Sequence, residues 1–300
     1  MTGRHRATSL TGGNASASVV RIGDTVRKPW LPTTDLTVAY MQALRNRGVD
    51  LPEPRARDEL GRLVLEYVPG DLAMDRGPLD VALLRRVGAL VRTIHDASAG
   101  LPVPDPWEVL LPVDRPNLLC HNDLAAWNLV IDGDRLVFID WDGAGPSTRL
   151  WDLAYAAISF GHVFAGEDVG LAASRLVAFV DGYDADEQLR AALPSTMARR
   201  ARAMHDLLHA SHEAGREPWG SMYATGHGEH WQACAAFIAR HEHAWLDAVL
   251  RAVTDWRTSR GQHRRCQHPD DAAHDGPPHR PTAPQRGHEG WSDHHRRTRG

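Results

Sequence analysis

Cys120-His121-Asn122-Asp123-Leu124-Ala125-Ala126-Trp127-Asn128-Leu129, followed by Phe138-Ile139-Asp140-Trp141-Asp142, is the stretch on which the reading of this chain turns. His121, Asp123 and Asn128 stand in the spacing H-x-D-x-x-x-x-N. The apolar runs Leu129 to Ile131 and Leu136 to Ile139 flank Asp132, Gly133 and Asp134, which predicts a hairpin. That hairpin returns Asp140 to the loop holding Asp123 and Asn128. Transfer of a phosphoryl group needs a carboxylate to orient the attacking hydroxyl and accept its proton. It also needs an amide oxygen and a second carboxylate to hold magnesium ions against developing phosphate charge. Asp123, Asn128 and Asp140 are those residue types in that order. The competing reading is a polar loop whose carboxylates are merely solvated, and the strand-turn-strand setting favours the chemical one.

Working outward, Ser18 to Gly23, Asp24, and Thr25 to Lys28 read as two short strands around a Gly23-Asp24 turn. A helix is predicted over Asp35 to Asn46, ended by Gly48, and a strand over Leu63 to Val68, stopped by Pro69 and Gly70. Between Asp80 and Ala97, Leu83, Leu84, Val87, Leu90, Val91 and Ile94 repeat every three to four residues, as one buried helix face requires. Beyond Leu150 the pattern is helical to about Val253, with breaks expected at Gly182, at Pro194 and in a Gly215 to Gly228 loop. Trp231, Ile238, Trp245 and Val249 mark a single last helix. The expected fold is α+β and bilobal, with a small antiparallel-sheet lobe over 1–69 and a mainly helical lobe over 70–257. A His-, Arg- and Pro-rich tail over 258–300 is too poor in apolar residues to join a core, and a disordered end is expected.

Composition narrows the partners. The 300 residues carry a formal net charge of −4 and are 42% hydrophobic, enough for a substantial core but without a basic field for nucleic acid. Cys120, Cys234 and Cys266 show no C-x-x-C spacing, so neither a disulfide framework nor a thiolate zinc site is indicated. No apolar stretch follows Arg4, His5 and Arg6, and no 18 apolar residues run together, so a cytoplasmic protein with no membrane contact is expected.

The segment resembles the catalytic loop and metal-binding strand of the aminoglycoside phosphotransferase and choline kinase group, enzymes of protein-kinase-like fold. The resemblance implies ATP (or GTP) and Mg2+ as cofactors and a hydroxylated small molecule as partner. It implies that Asp123 is the catalytic base, that Asn128 and Asp140 are magnesium ligands, and that His121 orders the loop. Asp152, in Trp151-Asp152-Leu153, would anchor the loop from a helix, and Asp142 is either a further metal-shell carboxylate or a solvated neighbour. Gly12, Gly13 and Asn14 would cradle phosphate oxygens, and the backbone from Glu66 through Val68 to Gly70 would be the hinge that holds the adenine. The phosphate-contacting cation falls on Arg27 or Lys28. Alignment of Thr25 and Val26 to the family's two β residues turns Arg27 inward and Lys28 to solvent.

Two departures stand out. The helix over Leu36 to Leu44 has no Glu to pair with that cation, which leaves a regulatory nucleotide-binding pseudokinase as the alternative. Only Gly143 to Leu150 separate the metal strand from Trp151, too short for a peptide-binding activation segment, which favours a small acceptor. Asp181, Asp184, Asp186, Glu187, Glu213 and Glu217 form either an anionic rim for a cationic acceptor or, as such runs usually do, a solvated face.

Overall fold

A computed structural model describes residues 8–9 and 19–251. The readings of a phosphate loop at Gly12 and Gly13 and of an unordered tail fall outside the described residues.

Five antiparallel strands form the first sheet, in the order β1-β2-β3-β5-β4. They are β1 (Thr8–Ser9), β2 (Val20–Ile22), β3 (Thr25–Lys28), β4 (Pro54–Arg57) and β5 (Leu63–Glu66). The two-residue Gly23-Asp24 turn sets Ile22 opposite Thr25, and from there Val26 lies opposite Leu65 and Lys28 opposite Leu63. Opposed residues point to the same side of a sheet, so Val26 and Lys28 share the face of Leu63 and Leu65, which belong to the main core. β4 has no counterpart in the sequence reading. Its Pro-Arg-Ala-Arg is largely exposed on the sheet edge, where Pro and charge discourage foreign pairing and apolar alternation has nothing to face. The helix α1 (Thr34–Asn46) buries Thr37, Tyr40, Met41 and Leu44.

β6 (Asp71–Leu72) joins β8 (Leu129–Asp132) and β9 (Arg135–Phe138) in a second antiparallel sheet, and β7 (Leu118–Cys120) pairs with β10 (Gly145–Ser147). The remainder is helical: α2 (Val81–Ser98), α3 (Arg149–Gly161), α4 (Val169–Tyr183), α5 (Glu187–Glu213), the short α6 (Trp219–Met222) and α7 (Gly228–Arg240). Asp80, Asp168 and Asp186 start α2, α4 and α5, each accepting at 2.8 Å the N–H of the third residue on. Four carboxylates of the candidate anionic rim have structural contacts: Asp186 is a cap, Asp181 pairs with Arg190 at 2.9 Å, Glu217 accepts the Ser221 N–H at 3.2 Å, and Glu213 lies 3.7 Å from His209. Every residue of α3 from Asp152 to Gly161 is buried, as expected of a helix apolar on all sides that runs through the middle of a lobe.

Two helical expectations are corrected, and a third is shifted by one residue. α5 runs through Pro194, giving up one backbone hydrogen bond inside an otherwise well-packed helix. The last helix is two: α7 ends at Arg240, His241 turns the chain, and a further helix covers 242–251, with Trp231 and Ile238 buried on the first and Trp245 and Val249 on the second. α4 ends at Tyr183, so the break expected at Gly182 comes one residue later and Gly182 itself is still helical. It lies inside α4, where a Cβ would come 2.0 Å from the Arg85 carbonyl oxygen of α2, while a Cβ on Gly88 would come 2.1 Å from the Phe179 carbonyl oxygen. The backbones of α2 and α4 touch at this glycine pair. Gly88→Ala should destabilise the protein by about 3 kcal/mol, seen as a lower denaturant midpoint with unchanged slope, because backbone on both sides must move. A midpoint equal to wild type would mean that the helices part at no cost.

Candidate active site

The candidate catalytic loop leaves β7 at Cys120 and enters β8 at Leu129, held by fixed contacts along its length. Backbone Asn122 is left-handed, at φ +65°, a conformation Asn tolerates better than most side chains. Its N–H donates to Asp152 Oδ1 at 2.9 Å, and its side-chain amide donates to the Gly143 carbonyl at 3.1 Å. Asp152 is buried on α3, and its other oxygen lies 3.0 Å from His95 Nε2, whose Nδ1 is 2.8 Å from the Tyr183 hydroxyl. Asp152 is thus the helix-borne anchor expected from the sequence.

His121 Nε2 donates to the Ile139 carbonyl at 3.0 Å, while Nδ1 accepts the Asp123 N–H at 3.3 Å. Both ring nitrogens are used, and the ring packs on Trp141 with centroids 4.5 Å apart. A group so engaged within the protein suits a loop-ordering part better than proton transfer. Tyr40 of α1 donates to the Leu119 carbonyl at 2.8 Å, tying the first lobe to the strand that feeds the loop.

Asp123, Asn128 and Asp140 converge. Asn128 Nδ2 donates to Asp123 Oδ2 at 2.7 Å and to the Asp123 carbonyl at 3.0 Å, which leaves the amide oxygen of Asn128 for a cation. Burial raises the Asp123 carboxyl above its ordinary value and the Asp140 charge adds to this, while the Asn128 hydrogen bond works against it. Ile139 N–H donates to the Asn128 carbonyl at 2.8 Å, which sets the left-handed Asp140 beside the loop.

Lys28 completes the group. Its ammonium bonds Asp140 Oδ1 and lies 2.6 Å from Asp142 Oδ2, with only 5% of the side chain exposed. Burial lowers the Lys28 value, but the two carboxylates outweigh it and the ammonium is held above its ordinary range. Burial raises Asp140 also, yet Lys28 prevails and the carboxyl is held down, whereas Asp142 is pushed up by burial and by Asp140. The inward assignment of Arg27 is therefore reversed. Arg27 lies on the other face of β3, 3.4 Å from Asp58, because the register of β3 against β5 puts Lys28 on the core side. The missing helix Glu is also explained, since Asp142 supplies the carboxylate that steadies the lysine.

Glu66 closes β5 with its carboxylate at 3.2 Å from the Glu53 N–H, engaged with the edge strand. Val68 is buried against Val130 and Val137, and its backbone N–H and C=O make no backbone hydrogen bond within the described residues. Asp140, Asp142 and the Asn128 amide oxygen are hard oxygen donors, the set that suits magnesium, and the ammonium between the carboxylates shows that the place attracts positive charge. The sequence reading misses Tyr40, His95 and Asn122. A polar residue inside an apolar helix face is the available signal for the first two.

A family model described as the phosphotransferase enzyme family matches residues 105–184, the span from before the catalytic loop to the end of α4. Protein LicA of Haemophilus influenzae is 49% identical over 35 residues, which is 12% of this chain and 13% of that protein. Among solved structures, a choline/ethanolamine kinase family protein from Mesorhizobium loti superposes with a TM-score of 0.57 at 19% identity, over 83% of this chain and 94% of that one. The amicoumacin kinase hAmiN, solved with AMP-PNP, Ca2+ and Ami, gives 0.58 at 16% identity, over 75% and 88%. The sequence likeness to the phosphotransferase enzyme family thus lies in residues 105–184, and the fold is that of the protein-kinase-like enzymes. Among the described residues no helix is long and apolar enough to cross a membrane.

Proposed function

We propose that the protein is a kinase that transfers the γ-phosphoryl group of ATP (or GTP) to a hydroxyl of a small molecule, with residues 1–69 as the nucleotide lobe and 70–257 as the catalytic and acceptor lobe. The observation that carries this reading is the convergence of Lys28, Asp123, Asn128, Asp140 and Asp142, drawn from both lobes, on one place.

Asp123 accepts the proton of the acceptor hydroxyl, and Asn128 fixes the rotamer of that carboxylate by the 2.7 Å bond to Oδ2. Lys28 turns from its carboxylates to the nucleotide phosphates, and the Val68 backbone offers a donor and an acceptor to the base. Asn128, Asp140 and Asp142 would hold magnesium, which would supply charge neutralisation at the phosphates. β10 and α3 follow directly on Asp142 and close this side with regular structure, which suits a compact acceptor better than a peptide. An aminoglycoside-like or other cationic alcohol is one class to try.

The test is to incubate the protein with Mg-ATP, then Mg-GTP, and a panel of hydroxylated metabolites and aminoglycosides, and to look for a mass gain of one phosphate. Nucleotide binding without transfer to any acceptor or to water would favour the pseudokinase reading. Asn128→Ala and Asp140→Ala should each weaken nucleotide binding in magnesium at least about tenfold, with little change in EDTA. Equal losses with and without magnesium would move the metal elsewhere.

A further inference from the structure

The catalytic loop is gripped from a second side by a group outside the set above. Arg200 sits on α5, 3% exposed, and its Nη2 donates to the Asn122 carbonyl at 3.2 Å. Its charge centre lies 4.1 Å from the centroid of the Tyr155 ring and 5.6 Å from that of Trp151. Among the described residues Nε and Nη1 have no hydrogen-bond partner, and no carboxylate lies within ion-pair distance.

A guanidinium buried in this way is costly, and an apolar residue of similar length would pack between two rings at less expense. What the cation contributes is directed at the loop. Asn122 is the left-handed residue immediately before Asp123, and its amide N–H is held by Asp152. With the carbonyl held by Arg200, both peptides flanking the Asn122 Cα are fixed, and so is the direction in which the chain enters Asp123. Asn tolerates the left-handed conformation but does not require it, so the surroundings must select it here, and these two contacts come from two different helices. The charge also has a destination: burial weakens the hold of Arg200 on its proton, and Tyr155, Asp123 and Asp152 strengthen it. Ring faces serve as the near counterpart of the cation, and the carboxylates around the loop as the distant one.

We propose that Arg200 is a positioning residue for phosphoryl transfer, clamping the Asn122–Asp123 peptide so that the Asp123 carboxylate faces the acceptor hydroxyl. This rests on Asp123 as the base, and the experiment separates the two. Arg200→Met keeps the packing and removes the hydrogen bond and the charge, while Arg200→Lys keeps the charge. Amide hydrogen exchange on the full chain should show the loop over residues 121–125 exchanging at least about tenfold faster in Arg200→Met, with α2 and β3 to β5 unchanged, and partial recovery in Arg200→Lys. Hydrolysis of Mg-ATP with water as acceptor should lose at least about tenfold in kcat in Arg200→Met, with KM for the nucleotide within about twofold. Unchanged exchange in the loop, or a rise spread evenly over the helical lobe, overturns the proposal. If the wild-type protein hydrolyses no ATP, the failure belongs to Asp123, and the exchange pattern still decides Arg200.

Discussion

Lys28→Ala should lower turnover at saturating acceptor by about two to three orders of magnitude, the usual loss when a preorganised charge facing a developing phosphate is removed. Arg27→Ala should stay within about threefold of wild type. Lys28 brings a flexible stem through the core side of the first sheet and places a single positive charge against Asp140 and Asp142. Without it, two carboxylates face each other with nothing between them, and under the proposed function nucleotide phosphates would meet negative charge alone there. Arg27 is differently placed. It is 3.4 Å from Asp58, which also holds Arg62 at 2.8 Å, so its loss leaves Asp58 with a partner. Measurement of kcat and nucleotide KM for both variants tests this, and an Arg27 effect larger than that of Lys28 would sink the assignment.

The hairpin from Leu129 to Phe138, α2 and the order of Asp123, Asn128 and Asp140 are legible in the sequence because each is a local pattern: alternation, a 3.6-residue period, or fixed spacing in one loop. Lys28 is misplaced by such a reading because alternation states that two neighbours point oppositely without saying which points inward. The apolar Leu63 and Leu65 that face Val26 and Lys28 across the ladder hold that answer, but only a known pairing register makes them informative. The contact of α2 with α4 at Gly88 and Gly182 is not legible for a related reason. Gly182 stands beside the end of α4, but its need for a missing Cβ arises from Arg85 in a distant helix. Arg200 leaves no mark at all in the sequence. On a helix rich in arginine it looks like one more solvated charge, and only the packing of α5 against α3 shows it inside.

Asp123→Asn should lower kcat by at least about a hundredfold, leave nucleotide KM within about twofold and cause no loss of stability at pH 7. The substitution is isosteric, and an amide oxygen still accepts the Asn128 Nδ2 bond that now measures 2.7 Å, so the loop keeps its form. What disappears is the ability to take a proton. Stability follows from the direction in which the carboxyl is displaced. Burial, and then the Asp140 charge, raise the native value above that of the unfolded chain. The unfolded state therefore gives up its proton at lower pH than the folded one, and ionisation costs folding stability once the pH has risen through the native value. Below the unfolded value both states are protonated and the cost vanishes. A neutral amide in place of the carboxylate carries no such cost, so the variant should melt no lower than wild type at neutral pH, and its advantage should fade as the pH is lowered into the carboxylate range. Thermal melts at two pH values, with steady-state kinetics at saturating acceptor, test both halves. Wild-type turnover in Asp123→Asn would remove Asp123 from the role of base, and a large drop in melting temperature at pH 7 would show that its charge serves the fold.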